Sequence, residues 1–234
     1  YGPLAFYIDN RLDAGEFPFW NPLTYCGVPN TGNPQSFIFY PPNLIRSLLV
    51  WAHSPEATVW SLTAMWGLHL LLLGVSMFYL ARAHRCSSAA SFASAIALTC
   101  SALVVRRMAE FHFLTTLAWL PAILLCLKWA IDTPRLRAKF SYALAGAILL
   151  GLGILGGFLQ IVNLMGVAVG VYGICYSLIG DTPGVRGAGG FTWRAWAANM
   201  ACIGLVVLVG SLIAAPTLLP AWELTAFTAR QKGM

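Results

Sequence analysis

Two arginines, a glutamate and a histidine fall together in the stretch Arg106-Arg107-Met108-Ala109-Glu110-Phe111-His112. Arginine offers a planar fork of donors that fits phosphate oxygens. Glutamate and histidine move protons in general acid–base chemistry. The chain holds only eight acidic residues, which makes Glu110 beside His112 a candidate acid–base pair, and Arg106, Arg107 and the distant Arg230 are candidate phosphate ligands. The competing reading is a solvated loop with interfacial arginines.

Other polar residues stand in equally apolar company. Asp9 is a further candidate acid. Gln160 closes the turn Gly156-Gly157-Phe158-Leu159-Gln160, where its amide either hydrogen-bonds a sugar hydroxyl or satisfies backbone carbonyls at a helix break. Asn163, one turn further, reads the same way. Glu223, after Pro220-Ala221-Trp222, either joins a site or forms a structural ion pair with Arg107 or Arg230. His69 reads as a helix–helix hydrogen-bond partner, and His53 and His84 as loop residues.

The stretch GEFPFWNPLTYCGVPNTGNPQSFIFYPPNLI (15–45) concentrates prolines, asparagines and aromatics. Residues before proline are pushed to extended backbone, so a turn-rich loop is expected, with a short interfacial helix over 42–51. Trp20, Phe37, Phe39, Tyr40 and Trp51 are expected at the headgroup level, as aromatic belts are. Trp20, Asn21, Asn33, Gln35 and Tyr40 are candidate substrate contacts. The segment is either a structural cap or a cap that also lines a cleft for a lipid-linked substrate.

The elements that must position these residues follow from composition. The chain has 234 residues, 59% hydrophobic and 9% charged. Soluble domains average roughly 25% charged residues, so a polytopic membrane protein is indicated. The net charge of +6 reads as basic loops rather than nucleic-acid binding. The six cysteines form no CxxC pair, and HExxH, GxSxG and Walker patterns are missing. No metal site is therefore expected, a divalent cation stays possible, and the cofactor is unknown.

A helix needs about 20 apolar residues to cross a bilayer. Spans are expected over 58–81, 89–105, 114–131 with a kink at Pro121, 142–155, 161–179 and 197–219. The loops with Arg82 and Arg85, with Lys128, Arg135, Arg137 and Lys139, and with Arg186 and Arg194 then share one side, assigned to the cytoplasm. The opening segment, the 106–113 and 156–160 turns and the C-terminal stretch share the other. This gives an all-α polytopic helix bundle divided into a loop region 1–56, a bundle 57–220 and a segment 221–234. The start at Tyr1-Gly2-Pro3 reads as the middle of a longer protein.

The blocks Gly15-Glu16-Phe17-Pro18-Phe19-Trp20-Asn21-Pro22, Gly27-Val28-Pro29, Asn33-Pro34-Gln35 and Phe39-Tyr40-Pro41-Pro42-Asn43-Leu44 resemble the bacterial YfhO family of membrane proteins, within the GT-C glycosyltransferase superfamily. Trp119-Leu120-Pro121 resembles that family's WLP. Leu155-Gly156-Gly157-Phe158-Leu159-Gln160 resembles its GGHPQ turn without the His and Pro. Leu219-Pro220-Ala221-Trp222-Glu223-Leu224-Thr225 with Arg230 resembles its LPALELTRLSAR segment. The resemblance implies a GT-C-like fold in a bacterial cytoplasmic membrane. It implies transfer of a sugar from a polyprenyl-phosphate carrier to an extracytoplasmic glycan or lipid acceptor. It places the family's usual catalytic Asp upstream of Tyr1, with Glu110, His112 and Asp9 as substitutes within the chain. A transporter or flippase for a lipid-linked substrate, or a non-catalytic scaffold, fits the same spans. Membrane lipid is an expected partner in every case, and nucleic acid in none.

Overall fold

The computed structural model describes residues 2–24, 26–50, 54–107, 110–179, 186–187 and 190–225. Among them, six helical stretches are long and apolar enough to cross a membrane: Pro55–Ala83, Ser88–Arg106, Phe111–Asp132, Leu136–Leu155, Leu159–Ile179 and Trp193–Ile213. The protein is an all-α bundle of these spans, as the hydropathy predicts.

Ahead of the bundle lies a small cap. Helix α1 (Gly2–Asp13) leads into a two-residue hairpin, β1 (Trp20–Asn21) against β2 (Val28–Pro29), then a 3-10 turn at Pro34–Ser36 and helix α2 (Pro41–Leu49). Asparagines hold this cap in shape. The Asn30 amide donates to Pro18 O at 2.9 Å, and Asn33 Oδ1 caps the 3-10 turn by accepting from Gln35 N at 3.1 Å. Pro41 and Pro42 start α2 where a missing N–H costs nothing.

The spans follow as α3 (Pro55–Ala83), α4 (Ser88–Thr99) with α5 (Ala102–Arg106), α6 (Phe111–Leu117) with α7 (Leu120–Asp132), α8 (Leu136–Leu155), α9 (Leu159–Ile179) and α10 (Trp193–Ile213). Between α9 and α10 a second hairpin pairs β3 (Arg186–Gly187) with β4 (Gly190–Phe191). Helix α11 (Ala215–Thr225) ends the described chain. Helix α7 sits at the centre, with Ile123, Leu127 and Ala130 fully buried among α3, α8, α9 and α10. Helices α8 and α10 approach closely through small residues, as membrane helices do in the absence of a hydrophobic drive. A Cβ added at Gly210 would lie 3.0 Å from Ala147 O.

Several expectations need correction. The second span breaks at Cys100-Ser101, where Ser101 Oγ accepts from Val104 N and starts α5. The third breaks between α6 and α7, because Pro121 sits in the first turn of α7 rather than kinking one continuous helix. The sixth ends at Ile213, six residues short of 219, and α11 starts afresh with Pro216 in its first turn. Helix α8 begins at Leu136, so Arg137 and Lys139 are helical rather than loop residues. Lys139 is buried, donating to Ala130 O at 2.6 Å and Asn199 Oδ1 at 2.7 Å. The carbonyls ending α7 carry partial negative charge and draw the ammonium inward. Phe37 and Tyr40 do not sit in an interfacial belt: both are core residues, packed under the cap. Trp51 and His53 lie outside the described residues.

Candidate functional site

Asp9, on α1, is the anchor of the cap. Its carboxylate is 1% exposed and accepts four hydrogen bonds. Arg46 of α2 donates through Nη2 to Oδ1 at 2.6 Å and through Nη1 to Oδ2 at 3.1 Å. Ser47 Oγ donates to Oδ1 at 2.7 Å, and Thr58 Oγ1 of α3 donates to Oδ2 at 2.8 Å. Arg46 also donates through Nε to Asn43 Oδ1 at 3.0 Å and through Nη1 to Ser61 Oγ at 2.9 Å. One ion pair therefore clamps α1, α2 and α3 together. A carboxylate so fully bonded is not available as a base.

Next to the clamp, Tyr40 links the cap to the bundle. His69 Nδ1 lies 2.7 Å from Met65 O, which can only accept, so Nδ1 carries the proton. His69 Nε2 then accepts from Tyr40 OH at 2.5 Å, and Tyr40 OH accepts from Trp119 Nε1 at 3.0 Å. The chain of donors runs in one direction, from Trp119 just ahead of α7 through the cap to α3. Burial pushes the Tyr40 phenol well above its ordinary range, so it stays a donor.

A cavity of about 510 Å³ opens between α2 and α3 beside these two networks. Ile45, Leu49, Met65, Leu68 and Leu72 give it apolar walls, while Arg46, Ser61, His69 and Trp119 bring polar atoms to its lining. The outward face of α2 continues the apolar surface with exposed Ile45, Leu48 and Leu49.

The expected convergence of four segments at one end of the bundle is present. Phe37 of the cap packs edge-on to Phe111 at 5.4 Å and lies 4.0 Å from the His112 ring, centroid to centroid. Thr115 Oγ1 donates to Gly156 O at 3.0 Å, and Phe158 N donates to Thr116 Oγ1 at 3.2 Å. Gly157 has φ +93° and passes so close to the cap that an added Cβ would sit 2.6 Å from Pro34 O. Gly32 abuts Leu224 of α11. Where the 3-10 turn meets the start of α9, a second, more polar cleft of about 270 Å³ is lined by Asn33, Pro34, Gln35, Gly157, Phe158, Leu159 and Gln160.

The remaining candidates distribute as follows. Glu110 does not pair with His112. Both its oxygens take hydrogen bonds from Arg107 Nη1, at 2.5 and 2.7 Å, on the surface. His112 turns inward and is fully buried. Arg107 thus takes Glu110 rather than Glu223, which is exposed, as is Arg106. Trp20 is exposed and accepts through its carbonyl from Tyr7 OH at 2.7 Å. Asn21 is a turn former, its Oδ1 accepting from Leu23 N at 2.9 Å. Arg230 lies outside the described residues. Sequence reading missed Arg46, Ser61 and Trp119. The signal for Arg46 is its position as the one charge in Pro41-Pro42-Asn43-Leu44-Ile45-Arg46-Ser47-Leu48-Leu49, a residue that needs a partner once the helix docks. No group of three or more His, Cys, Asp or Glu among the described residues is placed to hold a metal ion.

No family model, curated protein or solved structure matches the chain. The fold defines a class, a multi-pass, all-α membrane protein with six helical stretches long and apolar enough to cross a bilayer.

Proposed function

We propose that this protein is an integral membrane glycosyltransferase of the GT-C kind, related to the YfhO family, that takes a sugar from a polyprenyl-phosphate carrier. The observation that carries the reading is the cavity between α2 and α3. Its walls are apolar and Arg46, Ser61 and His69 stand in its lining, a chemistry that suits a long hydrocarbon with a polar end. In the reaction, the bond from the sugar's anomeric carbon to the carrier phosphate breaks and the phosphate keeps the electron pair. A new bond forms to an acceptor hydroxyl, whose proton passes to a base. Glu110, solvent-accessible and held by Arg107, is the candidate base within the described residues, and Arg106 a candidate for the phosphate. The site faces away from the cytoplasm.

The test is sugar transfer in proteoliposomes containing a polyprenyl-phosphate sugar. Leu68→Trp fills the channel, and transfer is expected to fall about tenfold or more. Arg106→Ala, Arg107→Ala and Glu110→Ala test the polar assignments. Wild-type rates in all four variants overturn the reading. A flippase is the second reading, favoured by the interrupted second and third spans, since transporters place binding sites at broken helices. It is distinguished by carrier lipid crossing the bilayer with its sugar still attached.

A further inference from the structure

The cleft between the 3-10 turn and the start of α9 shares no residue with the apolar channel, and its chemistry is different. Its lining holds three carboxamides, one phenyl ring and no ionised side chain. Asn33 is committed to the turn through Gln35 N. The side chains of Gln35 and Gln160 are both exposed, and neither takes a protein partner among the described residues. Each carboxamide presents an acceptor oxygen and two N–H donors. That is the complement of vicinal hydroxyls, which donate and accept at once. Phe158 adds an apolar face, held edge-on against Phe113 at 6.1 Å.

The walls are also fixed in advance. Gly157 lets the turn backbone touch Pro34 O, and Phe158 N is tied to Thr116 Oγ1 at 3.2 Å. A site built on locked backbone loses little entropy when it binds. The volume, about 270 Å³, lies just below the range of about 300–1,000 Å³ for drug-sized ligands and admits a single sugar ring. We propose that this cleft binds an uncharged sugar residue, with Gln35 and Gln160 reading its hydroxyls and Phe158 stacking on its apolar face. The inference deepens the transferase reading by giving its glycan a seat apart from the lipid channel. An anionic sugar is disfavoured because no side chain in the cleft supplies a counter-charge. The start of α9 is the one feature that favours an anion, so the test includes one.

The experiment is saturation-transfer NMR on the detergent-solubilised chain, with a neutral hexose or N-acetylhexosamine tetrasaccharide and with a uronic-acid tetrasaccharide. The neutral glycans are expected to bind saturably. Gln35→Ala and Gln160→Ala are each expected to weaken that binding about fivefold or more, the scale of losing one or two hydrogen bonds. Both glutamines are exposed, so both variants should keep the wild-type unfolding midpoint. Leu68→Trp, in the other cavity, should leave sugar binding unchanged. Unchanged binding in both glutamine variants overturns the inference, as does tighter binding of the uronic acid or no saturable binding of a neutral sugar. If Leu68→Trp transfers sugar normally while the cleft binds as expected, the channel reading falls and the cleft stands.

Discussion

Arg46 is buried with both Nη atoms on Asp9, so the energetics of the cap depend on keeping the pair intact. Removing one partner of a buried pair leaves a charge with no water and no counter-ion, which costs about 3–5 kcal/mol. Replacing both partners with apolar side chains of similar volume is far milder. Asp9→Ala should therefore lower unfolding stability in a denaturing-detergent titration by about 3 kcal/mol or more. The double variant Asp9→Leu with Arg46→Met should recover most of it. If Asp9→Ala costs under about 1 kcal/mol, the typical value of an exposed pair, the clamp is not structural. The residue types here were legible, but their pairing was not. Asp9 and Arg46 stand 37 positions apart, and no local pattern says which acid meets which base. Glu110 shows the reverse case. Its nearness to His112 in sequence promised a pair, yet one helical start sends the histidine inward and leaves the glutamate on Arg107.

One of the places where the cap meets the bundle is a short turn, and Gly157 sets how closely the two approach there. Its φ of +93° is costly for any L side chain, and the added Cβ would stand 2.6 Å from a backbone oxygen that has no rotamer to yield. Strain in this region costs about 1–2 kcal/mol and overpacking about 1–3 kcal/mol more. Gly157→Ala should lower the thermal unfolding midpoint and open the Pro34–Ser36 turn to proteolysis or amide exchange. Gly166→Ala, where a Cβ meets nothing within 4 Å, is the control and should do neither. A Gly157 variant as stable and as protected as the Gly166 variant would mean the contact does not hold the cap. Hydropathy located all six spans, because membrane burial is a bulk property of about 20 residues at a time. It misjudged their ends where single residues rule. Pro121 and Pro216 restart helices, Ser101 caps one, and Lys139 is part of α8 because carbonyls at the end of α7 accept hydrogen bonds from its ammonium. The polar cleft was half legible. Gln160 and Gln35 were both candidates from sequence, but only the close approach at Gly157 puts them on one cavity.

At the scale of the whole molecule the two ends of the bundle differ in how many cations their described residues hold. At the site end, Arg11 pairs with Glu16 at 2.5 Å, Arg46 with Asp9 and Arg107 with Glu110. At the other end, Lys128 is matched by Asp132, while Arg82, Arg85, Arg135, Arg137 and Arg194 remain exposed. Lys and Arg in short loops are retained on the cytoplasmic side during insertion, and Asp and Glu count for little against them. Arg11, Arg46, Arg106 and Arg107 at the site end are outnumbered by Arg82, Arg85, Lys128, Arg135, Arg137, Lys139 and Arg194 at the other, so Arg106 and Arg107 do not reverse the bias. The cap, the channel and the cleft should then face away from the cytoplasm. This is measurable in a variant with all six cysteines replaced by serine or alanine. Gln35→Cys, in the cleft, should react with a membrane-impermeant maleimide on intact cells. Arg137→Cys, at the first turn of α8, should react only after the membrane is permeabilised. The opposite pattern would turn the bundle over and set the cleft in the cytoplasm. There a soluble nucleotide sugar is at hand, and the case for a polyprenyl-phosphate donor would fail even with the channel intact.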